Sequence, residues 1–126
     1  MSPVYHLDSN VILRFLLADD PKQSPKAKQL FGLAQEGKLT LAVSHVTLAE
    51  VIWVLLSYYE LERNKLAQTL RELVLHEGME VEDEDVVLDA LDRFGRIRVD
   101  FIDCYTAALA KASGHAVITD DRDYRK

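Results

Sequence analysis

Six acidic residues stand where a chain alternating strands and helices passes from one element to the next. Asp8 closes a short β-type run. Glu50 lies early in a strongly apolar helix, beyond the strand Lys38–Val43 and its short loop. Asp100 and Asp103 open a later helix, and their i, i+3 spacing puts them on one face. Asp120 and Asp121 follow the last apolar run, His115–Thr119. Carboxylates brought together repel one another and stay ionised only around a cation. Their hard oxygens select Mg²⁺, Mn²⁺ or Ca²⁺. A partly hydrated divalent ion held in this way activates a water and offsets the charge on a phosphodiester under in-line attack. Each acid taken alone also has an ordinary structural role: Asp8 as a helix cap, Thr47-x-x-Glu50 as a capping box, Asp100 and Asp103 as an N-terminal pair, Asp120-Asp121-Arg122 as a turn. The set carries the metal-site reading, not any single member.

The elements that must position these acids follow from hydrophobic periodicity. Val4 to Leu7 is a β-type run. From Asn10 a helical pattern runs through Val11, Ile12, Phe15 and Leu16 until Asp19-Asp20-Pro21 breaks it. Ser24-Pro25 resembles an N-cap with proline at the first helical position, opening a helix that ends near Gly37. Lys38 to Val43 alternates as a strand, with Leu39, Leu41 and Val43 on one face. Thr47 opens a helix to Tyr59, and Arg63 to His76 forms another with Leu66, Leu70, Leu73 and Val74 as its stripe, stopped at Gly78. Met79 to Val81 is a short strand, Glu84 to Phe94 a helix ended by Gly95, and Asp100 to Ser113 a helix ended by Gly114. His115 to Thr119 is predicted as a strand delivering Asp120 and Asp121 to a turn. Strands separated by helices imply a mostly parallel central sheet covered on both faces, an α/β fold of three α/β/α layers. Sites in such sheets form outside the carboxyl ends of the strands, where these acids fall.

Several motifs, in order, resemble the PIN-domain ribonucleases of the VapC toxin group. Leu7-Asp8-Ser9-Asn10-Val11-Ile12-Leu13-Arg14-Phe15-Leu16-Leu17, followed by Asp19-Asp20-Pro21, is similar to the family's opening. Leu48-Ala49-Glu50-Val51 matches its acid in an apolar helix. Asp100-Phe101-Ile102-Asp103 before Ala107-Ala108-Leu109-Ala110 matches its third motif. Thr119-Asp120-Asp121-Arg122-Asp123-Tyr124 matches its fourth. The resemblance spans nearly the whole chain and implies one PIN-like domain over residues 1–126. It implies a metal site of Asp8, Glu50, Asp103 and Asp121 for Mg²⁺, with Mn²⁺ as substitute, hydrolysing RNA. Asp100 is an additional ligand or supporting acid in that scheme, and Ser9, Asn10 and Thr119 orient the carboxylates. It also implies a homodimer and an antitoxin partner that covers the site. The family's further short edge strand after the acidic-aromatic pair has no counterpart before Lys126.

Composition sets limits on this reading. The 126 residues suit one domain, with 48% apolar and 29% charged residues. No apolar run reaches the roughly 18 residues of a membrane span. The absence of a basic-then-apolar N-terminus and a single cysteine, Cys104, lead us to expect a cytoplasmic protein without disulfides. The net charge of −6 runs against the basic footprint usual in nucleic-acid binders. Acids gathered around cations account for part of it, leaving Arg14, Lys22, Arg96, Arg98 and Arg122 as candidates for phosphate contact. His6 is expected to pack on its strand, His45 to lie in a loop, Cys104 to pack as a small hydrophobe, and Trp53, Tyr58 and Tyr59 to serve core or dimer packing. The acidic run from Glu80 to Asp85 complements a helix dipole. Two rival functions remain at this level. One is a catalytically silent PIN-like module that binds RNA or protein. The other is an aspartyl phosphatase or receiver built on Asp8, which the Asn at position 10 and the lack of a placeable phosphoacceptor set disfavour.

Overall fold

The computed structural model of the chain describes residues 3–119. Three short strands, β1 (Val4–His6), β2 (Thr40–Val43) and β3 (Met79–Val81), form a parallel sheet in the order β1-β2-β3. Parallel neighbours need long crossovers. Helices α1 (Ser9–Leu17) and α2 (Gln23–Gln35) supply the first, and α3 (His45–Tyr59) and α4 (Arg63–Leu75) the second; α5 (Glu84–Arg96) and α6 (Phe101–Ser113) follow β3. The α/β class, the parallel sheet and the six helices expected from the sequence are all present.

Leu39, Leu41 and Val43 are buried as their alternation requires, but Ala42 is buried as well. The central strand of a parallel sheet is covered on both faces, which is why its burial is continuous. β1 is exposed along its length, and among the described residues it pairs only with β2. The core beneath the sheet joins Ile12, Phe31, Leu41, Leu48, Ile52, Leu55, Leu70 and Phe94, all nearly inaccessible to solvent. Phe15 stacks on Phe31 with ring centroids 3.9 Å apart, fastening α1 to α2.

Local chemistry moves several boundaries. Ser24 does not cap α2. Asp20 does so from outside, its Oδ1 accepting from the amides of Lys22 (2.9 Å) and Gln23 (2.8 Å). Ser24 lies one residue inside the helix, buried, and its hydroxyl donates to the Arg14 carbonyl at 2.8 Å. Gly95 does not end α5, which continues to Arg96. A Cβ at Gly95 would stand 3.1 Å from the Ala67 Cβ, so this glycine lets α4 and α5 approach closely.

The predicted strand His115–Thr119 is not formed. Gly114, in the left-handed conformation, ends α6, and the His115 amide turns back to donate to the Ala110 carbonyl at 2.8 Å. Beyond it Ile118 is fully exposed. Alternation alone makes no strand without a neighbour to take its amides and carbonyls. Trp53, Tyr58 and Tyr59 are exposed on α3 rather than in the core, and His6 is exposed rather than packed.

Candidate active site

The register of the sheet decides what meets at its rim. His6 is paired with Ala42, so Asp8 and Ser44, each two residues further on, leave the sheet level with one another. The Leu7 amide holds that level by donating to the Ala42 carbonyl at 2.9 Å. Both residues are N-caps. Asp8 Oδ1 accepts from the Asn10 amide at 3.2 Å and from the Ser9 hydroxyl at 3.3 Å. Ser44 Oγ accepts from the Thr47 amide at 3.1 Å. Helices α1 and α3 therefore start side by side, and the positive ends of both dipoles face the same rim. Asp8 is thus both the cap and a carboxylate with its second oxygen left open among the described residues.

Because Ser44 caps α3, the expected Thr47–Glu50 capping box is absent. Glu50 sits in the second turn, exposed, with no side-chain hydrogen bond or ion pair among the described residues. Asp100 holds the N-cap position of α6 yet makes no side-chain cap bond. Asp103 is half-buried in the first turn of that helix. Thr119 is exposed at the end of the described chain, and Asp120 and Asp121 lie outside the described residues.

Two contacts that sequence reasoning missed place α6. His45 is the first residue of α3, not a loop residue, and its Nδ1 lies 2.7 Å from the Tyr105 hydroxyl. Its Nε2 faces the Glu82 carbonyl at 2.5 Å. A carbonyl only accepts, so Nε2 carries the hydrogen and, in the neutral ring, Nδ1 accepts from Tyr105. This imidazole joins the starts of α3 and α5 to the second turn of α6.

The other contact is Arg63, whose guanidinium lies 3.9 Å from the Phe94 ring centre and donates to the carbonyls of Ile97 and Val99. It clamps the segment that delivers Asp100 and Asp103. Burial draws its pKa below the usual arginine value. Burial likewise pushes the Cys104 thiol up, aided by Asp103 and Asp100 and opposed by Arg63 and Arg93. Cys104 is buried, as expected for a packed hydrophobe. Nothing in the local sequence signals Arg63, because its acceptors lie 34 and 36 residues further along.

The candidate acids are hard oxygen donors with no thiolate among them, a set that fits Mg²⁺ or Mn²⁺ in kind. Among the described residues no three His, Cys, Asp or Glu side chains gather as a metal-holding group. The four-acid set implied by the sequence includes Asp121, which those residues do not reach. Cationic residues are unevenly committed. Arg93 and Arg96 pair with Asp89 and Asp92 one turn away at 3.1 and 2.9 Å, so Arg96 is already neutralised.

A family model for the PIN domain matches residues 5–126. No curated protein and no solved structure matches the chain.

Proposed function

Because the chain belongs to the PIN-domain family, whose members are generally nucleases, we propose that it is a metal-dependent endoribonuclease, the toxin of a toxin–antitoxin pair. The supporting observation is the level placement of Asp8 and Ser44 at the carboxyl end of a parallel sheet, with an oriented carboxylate at one cap and an unengaged Glu50 on the neighbouring helix. In this reading Asp8, Glu50, Asp103 and Asp121 hold Mg²⁺, with Mn²⁺ as substitute. The ion, when bound, supplies an activated water and offsets phosphate charge. The protein's own part is orientation. Ser9 and the Asn10 amide fix Asp8 Oδ1, Arg63 fixes the approach to Asp100 and Asp103, and Thr119 helps to orient the carboxylates.

The antitoxin would cover this rim. A second copy of the chain is assigned to the outer face of α3, where Trp53 and Tyr58 meet edge to face at 5.6 Å and stand 58% and 71% exposed. Large aromatic side chains left in water at one helix end are typical of interface residues.

The test is cleavage of a mixed structured RNA pool by the purified protein with Mg²⁺, Mn²⁺ or EDTA. Asp8→Asn and Asp103→Asn should abolish metal-dependent cutting, and Asp85→Asn, from the exposed acidic run, should not. Cutting that survives in both site variants refutes the carboxylate mechanism. A silent RNA- or protein-binding module is the second reading. It gains if Mn²⁺ fails to bind the folded wild-type protein in a direct titration.

A further inference from the structure

Between α1 and α2 lies a cavity of about 410 Å³ whose walls are one face of each helix. Asn10 and Arg14 are one turn apart on α1. Gln23, Lys26 and Leu30 line the opposite wall at helical spacing. The cavity begins beside the site, since the Asn10 amide is bonded to Asp8. At 1.5 Å rise per residue, Arg14 lies about 9 Å from Asp8 along the chain axis. That is roughly three stacked nucleotides at 3.4 Å each.

Arg14 stands in the last turn of α1, where a cation suits the helix dipole, but Lys26 has no such reason for its place. The first turn of α2 contains no acidic residue, although a helix start favours acids, and Lys26 follows in the next position with no ion pair among the described residues. Arg14 stands 3.8 Å from Asp20 Oδ2, beyond hydrogen-bond range, while Asp20 Oδ1 is committed to capping α2. Both cations therefore keep their donors available, in a chain of net charge −6. The backbone beneath them is fixed, because the Ser24 hydroxyl ties the Arg14 carbonyl into α2 and itself accepts from the Asp20 amide.

We infer that this α1–α2 groove binds the phosphodiester backbone of the RNA strand next to the cleavage point, with Arg14 and Lys26 contacting phosphate and Asn10 and Gln23 offering hydrogen bonds. The inference rests on the nuclease reading for the identity of the strand. Arg14 was one of several basic residues open to this role from sequence; the groove singles it out and adds Lys26.

The test is fluorescence anisotropy of the full-length protein with a short fluorescein-labelled single-stranded RNA of random sequence. EDTA separates binding from cutting. Wild type is compared with Arg14→Gln, Lys26→Gln, the double variant and Lys111→Gln, the last from the far end of α6. Lys26 is exposed, so its variant should fold whatever becomes of Arg14. Each groove substitution should weaken binding about fivefold and make the log–log salt slope shallower by ~0.7, the share of one phosphate on a single strand. Lys111→Gln should change neither. Equal affinity and slope in wild type and the double variant, or no binding by wild type at about 50 mM salt, overturns the groove. Cleavage run in parallel with Mg²⁺ separates the two ideas. Normal cutting by the double variant with unchanged binding leaves the nuclease standing and removes the groove. Loss of binding in the groove variants, with no protein cutting, does the reverse.

Discussion

Removing the Arg63 guanidinium should loosen both the fold and the site, by an amount the contacts allow us to bound. In Arg63→Ala the carbonyls of Ile97 and Val99 lose a charged donor, and Val99 itself is buried. A hydrogen bond to a charged group contributes about 1.5–3 kcal/mol, less where water can replace the donor. The ring contact over Phe94 adds about 0.5–1 kcal/mol at a partly exposed position. A loss of about 2–3 kcal/mol is expected, read as a lower urea midpoint at constant slope by far-ultraviolet circular dichroism. Arg63→Lys should recover only part of it, because an ammonium is a point donor and lacks the planar fork that stacks on the ring and reaches two carbonyls. The second readout is Mn²⁺ affinity below the unfolding transition. It should fall in Arg63→Ala while the protein is still folded, because the segment presenting Asp100 and Asp103 is no longer clamped. If Arg63→Ala is within about 0.5 kcal/mol of wild type, as for an ordinary surface residue, the clamp is not what holds this loop and the positioning argument fails.

Gly78→Ala should destabilise by about 2–4 kcal/mol in thermal unfolding, since Gly78 has φ +85° and an added Cβ would lie 2.4 Å from the Ala34 carbonyl oxygen. A near-neutral result would mean β3 shifts freely against α2. Trp53→Ala combined with Tyr58→Ala should convert the proposed homodimer to monomer in sedimentation without lowering monomer stability by more than about 0.5 kcal/mol. A wild type that sediments as monomer refutes the assigned face. Cys104 should react slowly with thiol reagents at neutral pH and rapidly once unfolded, because burial holds the thiol protonated. Since the folded value lies above the ordinary 9.0, the unfolded chain releases its proton first as pH rises through that range. The thiol's contribution to stability is then full below about 9 and declines above it, which denaturation titrations of wild type and Cys104→Ala should separate.

Periodicity located all nine described elements within a residue or two, because burying a stripe or alternate faces leaves a local signature. It failed where the outcome depends on a distant partner. Ser24-Pro25 has the form of a cap, but the cap is Asp20, and Ser24 serves the Arg14 carbonyl ten residues back. Thr47 and Glu50 have capping-box spacing, yet Ser44 stands one turn earlier with a side chain able to take the Thr47 amide. His115–Thr119 alternates, but among the described residues it pairs with no strand. For the site, Asp8 was legible as an acid at a strand end, and β1–β2 register brings it level with the start of α3. The clamp by Arg63 and the imidazole tie from His45 to Tyr105 were not legible, because each joins residues 34 or more apart.

The exposed strand β1 gives the rim an uneven stiffness. Asp8 rides on three residues that are accessible on both faces and paired with a single described neighbour, whereas Glu50 rides on a helix whose inner residues Val51, Ile52 and Leu55 are sealed in the core. Local opening free energy follows buried contacts, so the amides of Tyr5 to Leu7 should exchange with solvent at lower cost than those of α3. A ligand that binds only the closed arrangement of Asp8 must also hold β1 in place. Its occupancy would then be visible as slowed hydrogen exchange in the strand, well before any change in the global unfolding temperature.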